Sequence, residues 1–309
     1  MYKPSSEQQE LIGRINRLKK EKNAVLLVHN YQRPEILEVA DFTGDSYGLS
    51  KKAAETKADT IVFCGVHFMA ETAKILNPDK TVLLPNLKAG CVMADMITAE
   101  ELRAKKQELG GEYSVVSYVN TTAEVKAESD VCCTSANAVK VVESVKNDKI
   151  LFVPDQNLAD YVAKQTGKKI VAWPGFCYVH SQIKPEAIDQ ARQEHPGAVI
   201  VAHPECVPRV VEMADAVKST SGMIDFCKES PAKEFVLATE PGMVFVMERE
   251  CPDKKFFAAP GTPTCFNMKQ NTLENVLDAL EKNQFEIKIK PEIQDKARTA
   301  LDEMMRIGK

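Results

Sequence analysis

The chain has 309 residues, 44% of them apolar, and a formal net charge of −4. That length holds a large buried core and sets a prior of roughly two domains. Mild acidity excludes the basic face of a nucleic-acid binder, and no apolar run approaches the ~20 residues of a membrane span. The first residues, "MYKPSSEQQELIGRINRLKKEK", lack an apolar signal core and read as an amphipathic helix, so a cytoplasmic location is expected. Nine cysteines are an odd number for a reducing compartment, and a disulfide framework is not expected.

After that helix, "AVLLVHNY" (24–31) reads as a buried strand running into polar residues. A helical stretch "SYGLSKKAAETK", a strand "DTIVFC" and a helix "HFMAETAKIL" follow, and "TVLLPNLKAGC" closes the set at Cys91. The same phrase recurs from "SVVSYVN" (114–120) to "VAWPGFCYVH" at Cys177, and from "AVIVAHPE" (198–205) to "FFAAPGTPTC" at Cys265. Short Val/Ile-rich runs alternating with helical patterns predict parallel sheets covered by helices. The fold class is therefore α/β, with three similar αβα three-layer units in a pseudo-threefold arrangement around a central cavity. The units are assigned to residues 1–97, 98–183 and 184–309. Helical linkers at 98–111 and 184–197 separate them, and "PEIQDKARTALDEMMRIG" predicts a last helix that pairs with the first.

The repeat has a register. With His29, Tyr118 and His203 aligned, Tyr31, Asn120 and Glu205 lie two residues on. Asp41, Asp130 and Asp215 lie twelve on, and Ser46, Ser135 and Thr220 seventeen on, without a gap. Residues i and i+2 of a strand share a face, so each unit is expected to present two polar groups at its strand end, where open parallel sheets bind ligands. Ser46, Ser135 and Thr220 sit where helices begin and are expected to be N-caps; three such starts at one cavity suit a ligand with several anionic groups. As isolated residues they would be caps and nothing more. Their polar partners differ from copy to copy, as if each unit had taken a separate task at one asymmetric ligand.

Cys91, Cys177 and Cys265 are 86 and 88 residues apart, one per unit. Three thiolates can hold a zinc ion or an iron–sulfur cluster; on a four-iron cube they leave one iron free to act as a Lewis acid. Cys64, Cys132, Cys133, Cys206, Cys227 and Cys251 have no partners in register and read as structural, with Cys132 and Cys133 in a helix-entry segment.

The chain resembles the quinolinate synthase family along nearly its whole length. The resemblance rests on "HNYQRPEI", "GDSYGLS", "LPNLKAGCVMAD", "YVNTTAEVKA", "VCCTSANAVK", "PDQNLADY", "WPGFCYVH", "AHPEC", "STSGM" and "PGTPTCFNMKQNTLENV". It implies three α/β domains around a cavity and a 4Fe-4S cluster on Cys91, Cys177 and Cys265. It further implies condensation of iminoaspartate with dihydroxyacetone phosphate to quinolinate, phosphate and water. Substrate contacts carried over with it are His29, Ser46, Tyr118, Asn120, Ser135, His203, Glu205 and Thr220. Glu205 is expected as the general base, assisted by Tyr31, His29 and His203. L-aspartate oxidase or aspartate dehydrogenase would be a transient partner. Some relatives carry Cys-x-x-Cys near "ECPDKKF"; here Lys254 stands three residues after Cys251, so no thiol switch is expected from that pair. Two other readings stay open: an iron–sulfur hydro-lyase acting on another dicarboxylate, and a non-catalytic dicarboxylate-binding protein with a structural zinc.

Overall fold

A computed structural model describes residues 2–308. Helix α1 (Ser6–Glu21) starts on a capping box between Ser5 and Gln8. It leads through β1 (Ala24–His29), α2 (Pro34–Leu37), β2 (Phe42–Gly44), α3 (Ser46–Glu55), β3 (Thr60–Cys64), α4 (His67–Leu76) and β4 (Thr81–Leu83). The pattern then repeats: α5 (Ala99–Glu108), β5 (Ser114–Tyr118), α6 (Ala123–Ala127), β6 (Val131–Cys133), α7 (Ala138–Ser144), β7 (Lys149–Val153), α8 (Gln156–Thr166), β8 (Lys169–Ala172). It repeats again: α9 (Pro185–Glu194), β9 (Val199–Ala202), α10 (Pro208–Met213), β10 (Ala216–Val217), α11 (Thr220–Glu229), β11 (Glu234–Ala238), α12 (Gly242–Glu250), β12 (Lys255–Ala258). Helices α13 (Leu273–Lys282) and α14 (Pro291–Ile307) end the chain.

Among the described residues the twelve strands form three four-stranded sheets, ordered β2-β1-β3-β4, β6-β5-β7-β8 and β10-β9-β11-β12, with every pairing parallel. Strands β1 and β3 are buried almost end to end, which is why their sequences read as continuous apolar runs. One apolar core runs through all three units, with Leu26, Phe152 and Phe235 among its members.

The sequence reading missed the edge strands β2, β6 and β10, which are two or three residues long and too short for any periodicity. Cys132 and Cys133 therefore lie within a strand and not in a helix entry. The aspartate column anchors these edges. The Asp41, Asp130 and Asp215 carboxylates accept from the backbone N–H of Leu26, Val115 and Ile200 at 2.8, 2.7 and 2.8 Å. Each aspartate N–H donates back to the carbonyl of that same residue. A two-residue strand cannot hold its own ladder, and the paired side-chain and main-chain bonds replace the missing length.

The expected pairing of the first and last helices does not occur as drawn. Helix α1 packs mainly on α13, fixed by Arg14–Glu281 at 2.7 Å and Lys22–Asn283 at 2.9 Å. Helix α14 lies instead on α6 and β6, and reaches α4 through Arg298 and Gln294 bonded to the carbonyls of Leu76 and Lys74. The reason is cyclic. Helix α5 follows the first sheet and packs on α6; α9 follows the second and packs on α10; α13 follows the third and packs back on α1 and β3. Each linking helix docks on the next unit, and the third closes the ring. Among the described residues no helix is long and apolar enough to cross a membrane.

Candidate functional site

The strand ends of all three units face one cavity with about 740 Å³ of atom-free space, its mouth included. His29, Tyr31, Ser46, Tyr118, Asn120, Ser135, His203, Glu205, Thr220, Cys91, Cys177 and Cys265 all line it. The sequence register thus brings every nominated residue to a single chamber. Two local mechanisms differ from expectation.

First, the helix starts are not capped by the nominated hydroxyls. Asp45 caps α3 by accepting from Gly48 N–H at 2.8 Å, and Ser219 caps α11 by accepting from Gly222 N–H at 3.2 Å. Ser46 and Thr220 are the first helical residues, and Ser135 precedes the cap position of α7, Asn137. The extended backbone at Asp45 and Ser219 directs their own side chains onto the first turn. Ser46 and Thr220 are released from capping and can face the cavity.

Second, the i, i+2 pairs are not made by strand pleating. Strands β1 and β9 end at His29 and Ala202, and Tyr31 and Glu205 lie in the turns beyond. The histidine itself closes each turn. His29 Nδ1 accepts from Tyr31 N–H at 3.1 Å, and His203 Nδ1 accepts from Glu205 N–H at 3.3 Å. Burial pushes both imidazoles down to about 3, so they are neutral at pH 7. A neutral ring that accepts at Nδ1 carries its proton on Nε2, so both histidines are hydrogen-bond donors there.

Glu205 is 4% exposed. Its Oε1 accepts from the Tyr118 hydroxyl and its Oε2 lies 2.8 Å from His180 Nδ1. Burial pushes the carboxyl up; His203 and His180 beside it, with the Tyr118 bond, more than offset this and hold it below the usual carboxylate range. Burial also raises the Tyr31 and Tyr118 phenols well above their ordinary value, so both keep their protons. Tyr31 reaches Thr239 Oγ1 at 2.5 Å, and His180 Nε2 reaches the same hydroxyl at 2.9 Å. Asn120 Oδ1 is shut off from water with no partner, an acceptor left for a ligand.

The sequence reading passed over His180. It is 2% exposed and stacks on His203 with ring centroids 4.5 Å apart. The available signal was its position, three residues after Cys177 in "CYVH", where the other units carry Ala94 and Met268.

The nine cysteines divide by exposure. Cys91, Cys177 and Cys265 are partly exposed, and the other six are buried. Each of the three opens a single 3-10 turn that starts three residues later, at Ala94, His180 and Met268. The main-chain N–H of that third residue acts on the sulfur in every unit to lower its pKa. Burial raises all three thiols, Cys91 to about 12, and this N–H pulls each one back. Each sulfur is thus held at a turn start and stays a thiol until a cation draws off its proton. Among the described residues, the ligand atoms gathered within 4.8 Å of one another are those of Cys177, His180 and Glu205, a group that includes neither Cys91 nor Cys265. This donor set fits a metal or iron–sulfur cofactor.

The family described as quinolinate synthetase A protein matches residues 13–306. The chain belongs to that family. Among its relatives, the quinolinate synthase of Desulforudis audaxviator is 54% identical over 297 residues, covering 96% of this chain and 98% of the relative. That of Geobacter sp. strain M21 is 53% identical over 97% of this chain and 98% of its own. That of Methanoregula boonei is 53% identical over 94% and 96%. Membership reaches across all three units, so the cavity and its three cysteines lie within the family's matched length.

Proposed function

We propose that the chain is a quinolinate synthase, condensing iminoaspartate with dihydroxyacetone phosphate in the central cavity. The observation that carries the reading is the convergence of one partly exposed cysteine from each unit on a chamber that also holds a buried, ionised Glu205. Cys91, Cys177 and Cys265 would hold a 4Fe-4S cluster. Such a group supplies a Lewis-acidic iron with no protein ligand when bound.

The chain's own residues do the rest. His29 and His203 offer Nε2–H donors, and Ser46, Ser135 and Thr220 offer hydroxyls, to the carboxylates and phosphate of the substrates. Asn120 Oδ1 accepts from an imine or hydroxyl proton. Glu205 removes a carbon-bound or hydroxyl proton during dehydration. Tyr118 and Tyr31, held as phenols, orient Glu205 and Thr239 and keep water out of the site.

A second reading is favoured by the gathered atoms of Cys177, His180 and Glu205, which could take one divalent ion. That ion would occupy Glu205 and remove it as a base. Iron and acid-labile sulfide assays on anaerobically purified protein separate the two. The cluster reading expects a brown protein that loses its colour in Cys177→Ala and keeps it in Cys132→Ala, with quinolinate identified by mass spectrometry. A colourless protein with one equivalent of zinc and full activity would overturn it.

A further inference from the structure

The three cysteine loops are tied to their sheets in three different ways. The tie point is the end of the unit's central strand. Residues Val66, Asp155 and Glu240 stand in register, each two past the end of β3, β7 and β11. Asp155 and Glu240 are 0% and 1% exposed. Asp155 Oδ2 accepts from Cys177 N–H at 3.2 Å, and Glu240 Oε1 accepts from Cys265 N–H at 3.2 Å. Each uses its second oxygen on its own helix start, Asp155 on Leu158 N–H at 2.7 Å and Glu240 on Gly242 N–H at 2.7 Å. Val66 offers Cys91 no such acceptor.

One residue further on, a backbone tie runs the other way. His67 N–H donates to Ala89 carbonyl and Gln156 N–H to Gly175 carbonyl, both at 2.8 Å. Ala89 and Gly175 each lie two residues before their cysteine. The third unit has Pro241 at that position, which has no N–H to give. The Cys91 loop therefore has the backbone tie, the Cys177 loop has both ties, and the Cys265 loop has only the carboxylate. Glu240 is further fixed by Lys269, 3.1 Å away, whose ammonium also reaches the Tyr31 carbonyl.

We propose that Asp155 and Glu240 are positioning residues that seat Cys177 and Cys265, and that Glu240 carries the larger share because its loop lacks the backbone tie. The proposal rests on reading these cysteines as ligands of the iron–sulfur group. Partners just outside a metal's ligands typically contribute about 10–100-fold in metal affinity.

The test compares wild type, Asp155→Ser and Glu240→Gln, all reconstituted anaerobically and challenged with a ferrous chelator while the visible chromophore is followed. Serine caps a helix about as well as aspartate but is too short to reach Cys177 N–H as well. A glutamine at 240 offers one acceptor oxygen where the carboxylate offers two. Chromophore loss should be about tenfold faster in Asp155→Ser and about a hundredfold faster in Glu240→Gln, with the far-UV circular dichroism of the serine variant unchanged and its melting midpoint lower only by the few degrees that one lost hydrogen bond costs. Wild-type rates in both variants, the reverse order, or a serine variant whose melting falls in step with its cluster would each overturn the proposal. A wild-type protein with no chromophore would instead overturn the cluster reading on which it rests.

Discussion

Glu205→Gln separates base chemistry from architecture, because it removes a charge and almost no volume. In the fold the carboxylate is 4% exposed, accepts from Tyr118 and sits 2.8 Å from His180. The Tyr118 hydroxyl can rotate to accept from the new amide, so the buried group keeps a partner, and the cost should be about 1 kcal/mol. For a chain of this size that lowers Tm by about 2–4 °C. A positioned general base is worth about 10²–10⁴-fold, so turnover should fall by that factor while the visible spectrum stays. The assay is quinolinate formation on the reconstituted enzyme, with absorbance and melting read on the same sample. Turnover within about threefold of wild type would remove Glu205 as the base. Loss of the chromophore together with activity would show that its role is to support the metal site.

Stability should fall steeply in acid. The unfolded chain protonates His29 and His203 near 6.5 and the folded chain near 3, so the unfolded state binds more protons between those values. Two buried imidazoles together cost about 2.7 kcal/mol per pH unit as pH drops through that window. Urea titrations from pH 7 to pH 4 should show the slope, and His203→Gln should roughly halve it. Gly175→Ala should damage the second cysteine loop, because a Cβ there would sit 2.5 Å from the Pro154 carbonyl and press open the 2.8 Å tie from Gln156. The expected cost is about 1–3 kcal/mol with faster chromophore loss, and wild-type cluster retention would refute it. Asp130→Ala, by contrast, removes an anchor of β6 that does not line the cavity; it should cost about 1 kcal/mol in a denaturant melt and leave the rate constants alone.

Much of this protein was legible because the chain says the same thing three times. The register of Ser46, Ser135 and Thr220 with the partly exposed Cys91, Cys177 and Cys265 identified the cavity lining without coordinates, since equivalent positions of similar units meet at equivalent places around one centre. The aspartate column was equally plain in the sequence but carried a different meaning. Asp41, Asp130 and Asp215 bond backbone at the sheet edge, and nothing in spacing separates a repeated anchor from a repeated ligand.

Local sequence determined the αβ alternation, the buried central strands and the one-cysteine-per-unit pattern, because these follow from apolar periodicity and turn chemistry within a few residues. Only the tertiary structure decided which helix closes the ring, that Asp45 and Ser219 rather than Ser46 and Thr220 cap their helices, and that His180 meets Glu205. Those outcomes depend on contacts between groups far apart in the chain, whose energies appear only once three separately formed sheets are packed around the same cavity.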